Sequence, residues 1–341
     1  MSRSIPSFLR PPVVCWAAVL LAAFSALTIS ALAQQARGFS MTVFDPPGSQ
    51  KTYALAINLM NTVAGYYYDG SAYHGYVRDF SGTITSFDAG VNTYVFGLND
   101  GGTVTGYFAD AGGVLHSFMR DSHGTITTFD PPGTTVGSQA WGINKSGAIA
   151  GLYQDANGVH GYVRDPLGVF TPFDAPGVNH TYAYAIDISG NVAGNYIDSN
   201  GNSHGFFRLY QGTITPFDPP GSLFTYAAGI ASGAVVGTWS SDGVTYHGYV
   251  RDTRGNITSF DPLGSMSTVA RVINDNGWVA GSYRDSTGAT HAFQRSPLGG
   301  ITVFDAAGST FTSFNGLNAL RVPAGYYRDA NGLYHGFLGK P

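Results

Sequence analysis

The chain has 341 residues, a formal charge of −4, 47 glycines, 14% aromatic residues and only three lysines. This weak acidity argues against nucleic acid and anionic membranes as partners, and a single cysteine, Cys15, leaves no intrachain disulfide to stabilise the fold. All 21 acidic residues are aspartate, a residue that competes for backbone donors and favours turns over helix interiors, so beyond the first 33 residues strands and tight turns are expected and essentially no helix.

Residues 1–33 read as a signal peptide. Arg3 and Arg10 precede an apolar run from Val13 to Leu32, and Ala31-Leu32-Ala33 has the small-x-small form of a cleavage site. An uncleaved anchor is the alternative, since the run is near the ~20 residues that span a bilayer; the Ala-x-Ala ending favours cleavage. The expected product is exported, periplasmic or extracellular, with no membrane insertion after cleavage. It has no cysteine, and its charge moves from −4 to −6 because two arginines leave and no carboxylate does. It must be held by its core, for which about 300 residues suffice.

Next comes an isolated strand, Phe39 to Asp45, ending in Phe-Asp. That Phe-Asp pair returns at Phe87, Phe129, Phe173, Phe217, Phe260 and Phe304, at intervals of 42–44 residues. Between two copies lie TYALAIN (52–58), TVAGYYYD (62–69), YHGYVRD (73–79) and TITSFD (83–88), each bounded by Gly, Asn or Asp. Short β-branched and aromatic runs with such turns are antiparallel strands joined by hairpins, and four of them per ~40–45 residues is the period of a propeller blade. Seven His-Gly-type strands, at His74, His116, His160, His204, His247, His291 and His335, give the count. The expectation is an all-β, seven-bladed β-propeller forming a single domain over 34–341, with units at about 46–88, 89–130, 131–174, 175–218, 219–261, 262–305 and 306–341 plus 39–45. The last unit lacks its own fourth strand, so residues 40–45 are expected to pair antiparallel with the strand near Gly336–Leu338 and close the ring, which removes exposed edges.

The unit GINKSGAIAGLYQDANGVHGYV (142–163), with a literal His-Ala-Phe at His291–Phe293, resembles the HAF extracellular repeat of bacterial exported proteins. The resemblance covers all seven units. It implies the architecture and brings no established activity or catalytic residue; Gln294-Arg295-Ser296 and Leu338-Gly339-Lys340 depart from the pattern only at strand ends.

Every aspartate belongs to a recurring position: the Phe-Asp pair, the turn before the histidine, an Arg-Asp pair, or the first hairpin turn. A dedicated acid/base pair would break that pattern, so no catalytic residue is assigned. Asp starts turns by accepting backbone N–H bonds. The arginines of the His-Gly strands (78, 120, 164, 208, 251, 295) are expected to pair with aspartates at blade corners. The histidines lie one per blade, too far apart to share an ion, and are read as structural; neither a metal nor a cofactor is assigned. Nucleophile elbow, zinc-protease and phosphate-loop motifs are missing.

Function is therefore sought where the copies disagree. In a propeller closed by its N-terminal strand, the first strand of each blade lines the central channel. Three residues before the Asn/Asp of the first turn stand Leu55, Phe96, Trp141, Tyr184, Ala228, Arg271 and Asn315; two residues earlier stand Tyr53, Tyr94, Gln139, Tyr182, Tyr226, Val269 and Ser313. The blade-to-blade loops add off-pattern Lys51 and His180. Trp141, Tyr184, Arg271, Asn315, Lys51 and His180 are the candidate ligand-binding residues, suited to a glycan or a protein or peptide ligand through stacking and a few fixed polar groups. Packing between adjacent sheets is the competing role for the aromatics. The function expected is an exported, monomeric, non-enzymatic binding scaffold; a polysaccharide hydrolase or lyase, or a purely structural surface protein, is the alternative.

Overall fold

A computed structural model of the protein describes residues 40–340; the expected signal segment, Cys15 and Phe39 lie outside the described residues. The described residues form 28 strands and no helix, joined in hydrogen-bonded sheets of twelve, eight and eight strands. The recurring element is a four-stranded antiparallel meander. The first runs through Lys51–Ile57, Val63–Tyr68, Tyr73–Arg78 and Ile84–Phe87. The second to sixth begin at Asn92–Leu98, Gly137–Ile143, Thr181–Ile186, Phe224–Ala231 and Ser265–Ile273. The seventh consists of Phe311–Leu317, Pro323–Arg328 and Tyr334–Gly339. Its fourth strand comes from the other end of the chain: Met41–Phe44 pairs antiparallel with Tyr334–Gly339, Thr42 opposite Leu338 and Phe44 opposite Gly336.

The repeated Val-Ala-Gly of the second strand explains how tightly the first two strands nest. Val63, Ala64 and Gly65 are all buried, and a Cβ on Gly65 would collide with the carbonyl oxygen of Tyr53. Glycine is needed there for close backbone approach and not for a turn.

Adjacent meanders are cemented by rings. In five of the seven Phe-Asp pairs the Phe meets the fully buried aromatic of the next third strand edge-on, Phe44–Tyr76, Phe87–Phe118, Phe173–Phe206, Phe217–Tyr249 and Phe260–Phe293, with centroids 5.8–6.0 Å apart. Such pairs are worth ~0.5–1.5 kcal/mol beyond the area they bury. The arginines correct the sequence expectation. Among the described residues none forms an Arg–Asp ion pair; instead each guanidinium lies over the same phenylalanine, Arg78 5.0 Å from Phe44, Arg120 4.9 Å from Phe87 and Arg208 4.7 Å from Phe173. Their flat cations stack on the ring faces, while the aspartates are already committed. Asp79 accepts the backbone N–H of Thr83 and the hydroxyl of Ser81, closing its own turn.

A second set of ties joins the first hairpin turns. Asn58 donates its side-chain amide to the carbonyl of Asn99, Asn99 to that of Asn144, and Asn144 to that of Asp187. Gly233 N–H then donates to Asp187, Ser232 to Asp275, Asn274 to the carbonyl of Asn318, and Asn318 to that of Asn58, 3.1 Å away. The same asparagines cap their own turns, Asn144 accepting from Ser146 and Ala148. One residue type thus serves the hairpin and its neighbour together, which accounts for its recurrence in five of the seven units, with Asp187 in its place in the fourth.

Candidate functional site

Every first strand carries a β-bulge, and the extra residue is the position where the repeats disagree. Pairing with the second strand skips from Ala54 to Ala56, Val95 to Gly97, Ala140 to Gly142, Ala183 to Ala185, Ala227 to Gly229, Ala270 to Val272 and Phe314 to Gly316. The skipped residues are Leu55, Phe96, Trp141, Tyr184, Ala228, Arg271 and Asn315. A bulge frees a residue from the ladder and re-aims its side chain. The small residue that follows allows close packing: Gly142 abuts the carbonyl of Tyr184, Gly229 that of Arg271, and Gly316 that of Leu55.

All seven bulged residues line one cavity of about 410 Å³, joined there by Tyr66, Tyr226 and Tyr326. A second cavity of about 360 Å³ lies on the side of the Asn turns, and the two share a collar of Ile57, Leu98, Ile143, Ile186, Ile230, Ile273 and Leu317. Of the predicted site residues, Trp141, Tyr184, Arg271 and Asn315 are brought together on the first cavity. Lys51 and His180 line neither: Lys51 sits 5.6 Å from the Tyr68 ring, and His180 Nδ1 meets Asn179 at 3.0 Å.

The cavity wall is divided by chemistry. One side is an aromatic arc in which Phe96 and Trp141 stand 4.3 Å apart, Trp141 and Tyr184 5.3 Å, and Tyr184 and Tyr226 4.9 Å. The other side holds Arg271 and Asn315. Trp141 Nε1 and Asn315 Oδ1 are buried with no hydrogen-bond partner, whereas Arg271 is exposed. Burial pushes the phenols of Tyr66 and Tyr184 well above their usual range; it also raises Tyr226 and Tyr326, and the nearby Arg271 charge opposes the rise in both. These tyrosines are protonated donors at neutral pH. Arg271 is the one charged residue lining this cavity.

Tyr66 and Tyr326 escaped the sequence reading. They follow Val-Ala-Gly or Pro-Ala-Gly in the second strand, a position that reads Tyr66, Tyr107, Leu152, Asn195, Thr238, Ser282 and Tyr326. It varies too, with five residue types against seven at the bulge, so the same search for disagreement would have found it.

No family model and no curated protein matches the chain. Among solved structures it is similar to a streptogramin B lyase, at 14% identity over 88% of this chain and 97% of that one, TM-score 0.59. It is also similar to virginiamycin B lyase from Staphylococcus aureus, at 13% identity over 89% and 100%, TM-score 0.60. A structure from a study of two prolyl endopeptidases aligns at 12% identity over 92% of this chain and 60% of that one, TM-score 0.58. At such identities the likeness speaks for fold alone, and the fold is that of an all-β β-propeller protein.

Proposed function

We propose that this chain is an exported, monomeric HAF-type repeat protein folded as a closed seven-bladed β-propeller, and that it is a non-enzymatic module binding a glycan in the bulge-lined cavity. Closure is supported by the pairing of Met41–Phe44 with Tyr334–Gly339 and by the Asn318 bond to the carbonyl of Asn58. The binding reading rests on one observation: the seven bulge residues, where the repeats disagree, gather on one cavity, and two of their buried polar atoms, Trp141 Nε1 and Asn315 Oδ1, have no partner. An apolar-walled cavity with a few convergent polar groups is the usual form of a ligand site. A sugar ring suits an indole face flanked by unpaired hydrogen-bonding atoms.

A non-enzymatic role is favoured because no carboxylate or histidine lines the cavity. Hydrolysis of a glycoside ordinarily needs two carboxyl groups, and phenols held protonated by burial are poor bases near pH 7. A screen of glycans and peptides against the purified protein and Trp141→Ala tests the proposal. Loss of a buried aromatic anchor is expected to weaken glycan binding roughly 30-fold or more, with melting temperature as the folding control. Peptide binding in place of glycan, binding indifferent to Trp141→Ala, or turnover of a polysaccharide would each overturn it; failure to bind anything would favour a purely structural protein.

A further inference from the structure

The cavity holds a single unneutralised cation. Arg271 forms no ion pair and no hydrogen bond among the described residues, although the mature chain is acidic and its other recurrent arginines are stacked on phenylalanines. It stands at the bulge of its strand, where every other unit carries a neutral side chain. No aspartate lines the cavity to compensate it. Tyr226 and Tyr326, from the fifth and seventh meanders on either side of its own in chain order, line the cavity with it. A guanidinium that shares a cavity with phenol donors and with no acid is a receptor for an anion of fork-like geometry.

We infer that the ligand is an acidic sugar whose carboxylate is gripped by Arg271, with Tyr226 and Tyr326 as supporting donors, while its ring lies against Trp141 and its hydroxyls meet Trp141 Nε1 and Asn315 Oδ1. This inference rests on the proposed glycan site and adds the ligand's charge. The aromatic arc and the cation are contributed by different meanders, Phe96, Trp141 and Tyr184 by the second to fourth and Arg271 by the sixth. The cavity therefore offers an apolar platform facing a charged post, the amphipathic layout that a pyranose bearing a carboxylate presents. A peptide C-terminus shares the carboxylate but supplies no ring of hydroxyls for Trp141 Nε1 and Asn315 Oδ1.

The test is calorimetric titration of the purified protein with three probes of similar length: a trigalacturonate, its methyl ester, and a neutral trisaccharide. A fourth titration uses a tripeptide with a free C-terminal carboxylate. The acid is expected to bind at least about tenfold tighter than its ester, and Arg271→Ala to erase that preference by weakening the acid far more than the ester. Arg271→Lys should recover part of the preference, because charge returns without the fork. Since the affinity contains an ion pair at an exposed residue, it should also fall as salt rises. Equal binding of acid and ester, or a preference that survives Arg271→Ala, overturns the inference while leaving a neutral-glycan site standing. Binding of the tripeptide in place of all sugars, or binding of no probe at all, overturns both this inference and the glycan reading beneath it.

Discussion

At the scale of single residues, His204 sits between two carboxylates, with Asp218 2.7 Å from Nδ1 and Asp198 3.3 Å from Nε2. Burial pushes its pKa down, but the hydrogen bonds and charges of Asp218 and Asp198 outweigh that and the net movement is upward. The same net rise holds at His74, His116, His160, His291 and His335. A raised histidine stabilises the fold fully below its unfolded value of about 6.5 and loses that contribution as pH climbs through the folded value. The aspartates act in the opposite sense. Asp198 is drawn down to about 2, first by the backbone N–H of Asn202, and Asp285 to about 2, first by the Thr287 hydroxyl; their contribution is present above about 4 and fades as pH falls toward 2. Melting temperature is therefore expected to peak between about pH 4 and 6.5 and to decline from there toward pH 9. A melting curve that is flat or rising between pH 6 and 9 would show that these histidines are not charged in the fold. The one-per-unit spacing of the histidines was legible in the chain, but the arginines were misread: a sequence shows Arg beside Asp, whereas the alternation of a strand sends the two side chains to different neighbours.

At the scale of the element, the first strand and its turn are where the repeat does most of its work. Asn318 accepts the backbone N–H groups of Leu320 and Val322 and donates to the carbonyl of Asn58 and to Asn61 Oδ1. Replacing it with alanine removes four bonds and strands buried donors and acceptors, so Asn318→Ala is expected to cost about 2–4 kcal/mol. Asn331→Ala is the control, since that asparagine only closes an exposed turn with Asp329; urea unfolding of both variants checks the difference. The strands and turns of each unit could be read from the chain because Gly, Asn and Asp punctuate them. The bulges could not, because a bulge is a mismatch between two paired strands. Neither TYALAI nor VAGYYY alone shows that Leu55 is left without a partner.

At the scale of the whole molecule, the two ends of the described chain meet. His335 Nδ1 lies 2.7 Å from Asp45, Thr52 donates its hydroxyl to the same aspartate, and Phe44 packs on Tyr76. The Met41–Phe44 strand thus touches both the first and the seventh meander. The proposed closure predicts that deleting residues 40–45 exposes the edge of Tyr334–Gly339 and the Tyr76 face together. Such a protein is expected to unfold at markedly lower urea, with a broader transition, and to aggregate through the open edge. An unchanged, single sharp transition would count against closure.

The sequence by itself determined the period, the four strands of each unit, the lack of helix among the described residues and the identity of the odd strand at their start. These depend on local punctuation and on repetition, both of which are written along the chain. It also marked Trp141, Tyr184, Arg271 and Asn315 as departures from the repeat. Only the tertiary structure decided that these four share one cavity while Lys51 and His180 stand outside it, that Tyr66, Tyr226 and Tyr326 complete the wall, and that the arginines rest on phenylalanines of the preceding unit. Those facts depend on which residue a bulge ejects and on how neighbouring sheets stack, and both arise between segments about forty residues apart or, for Met41–Phe44, nearly three hundred.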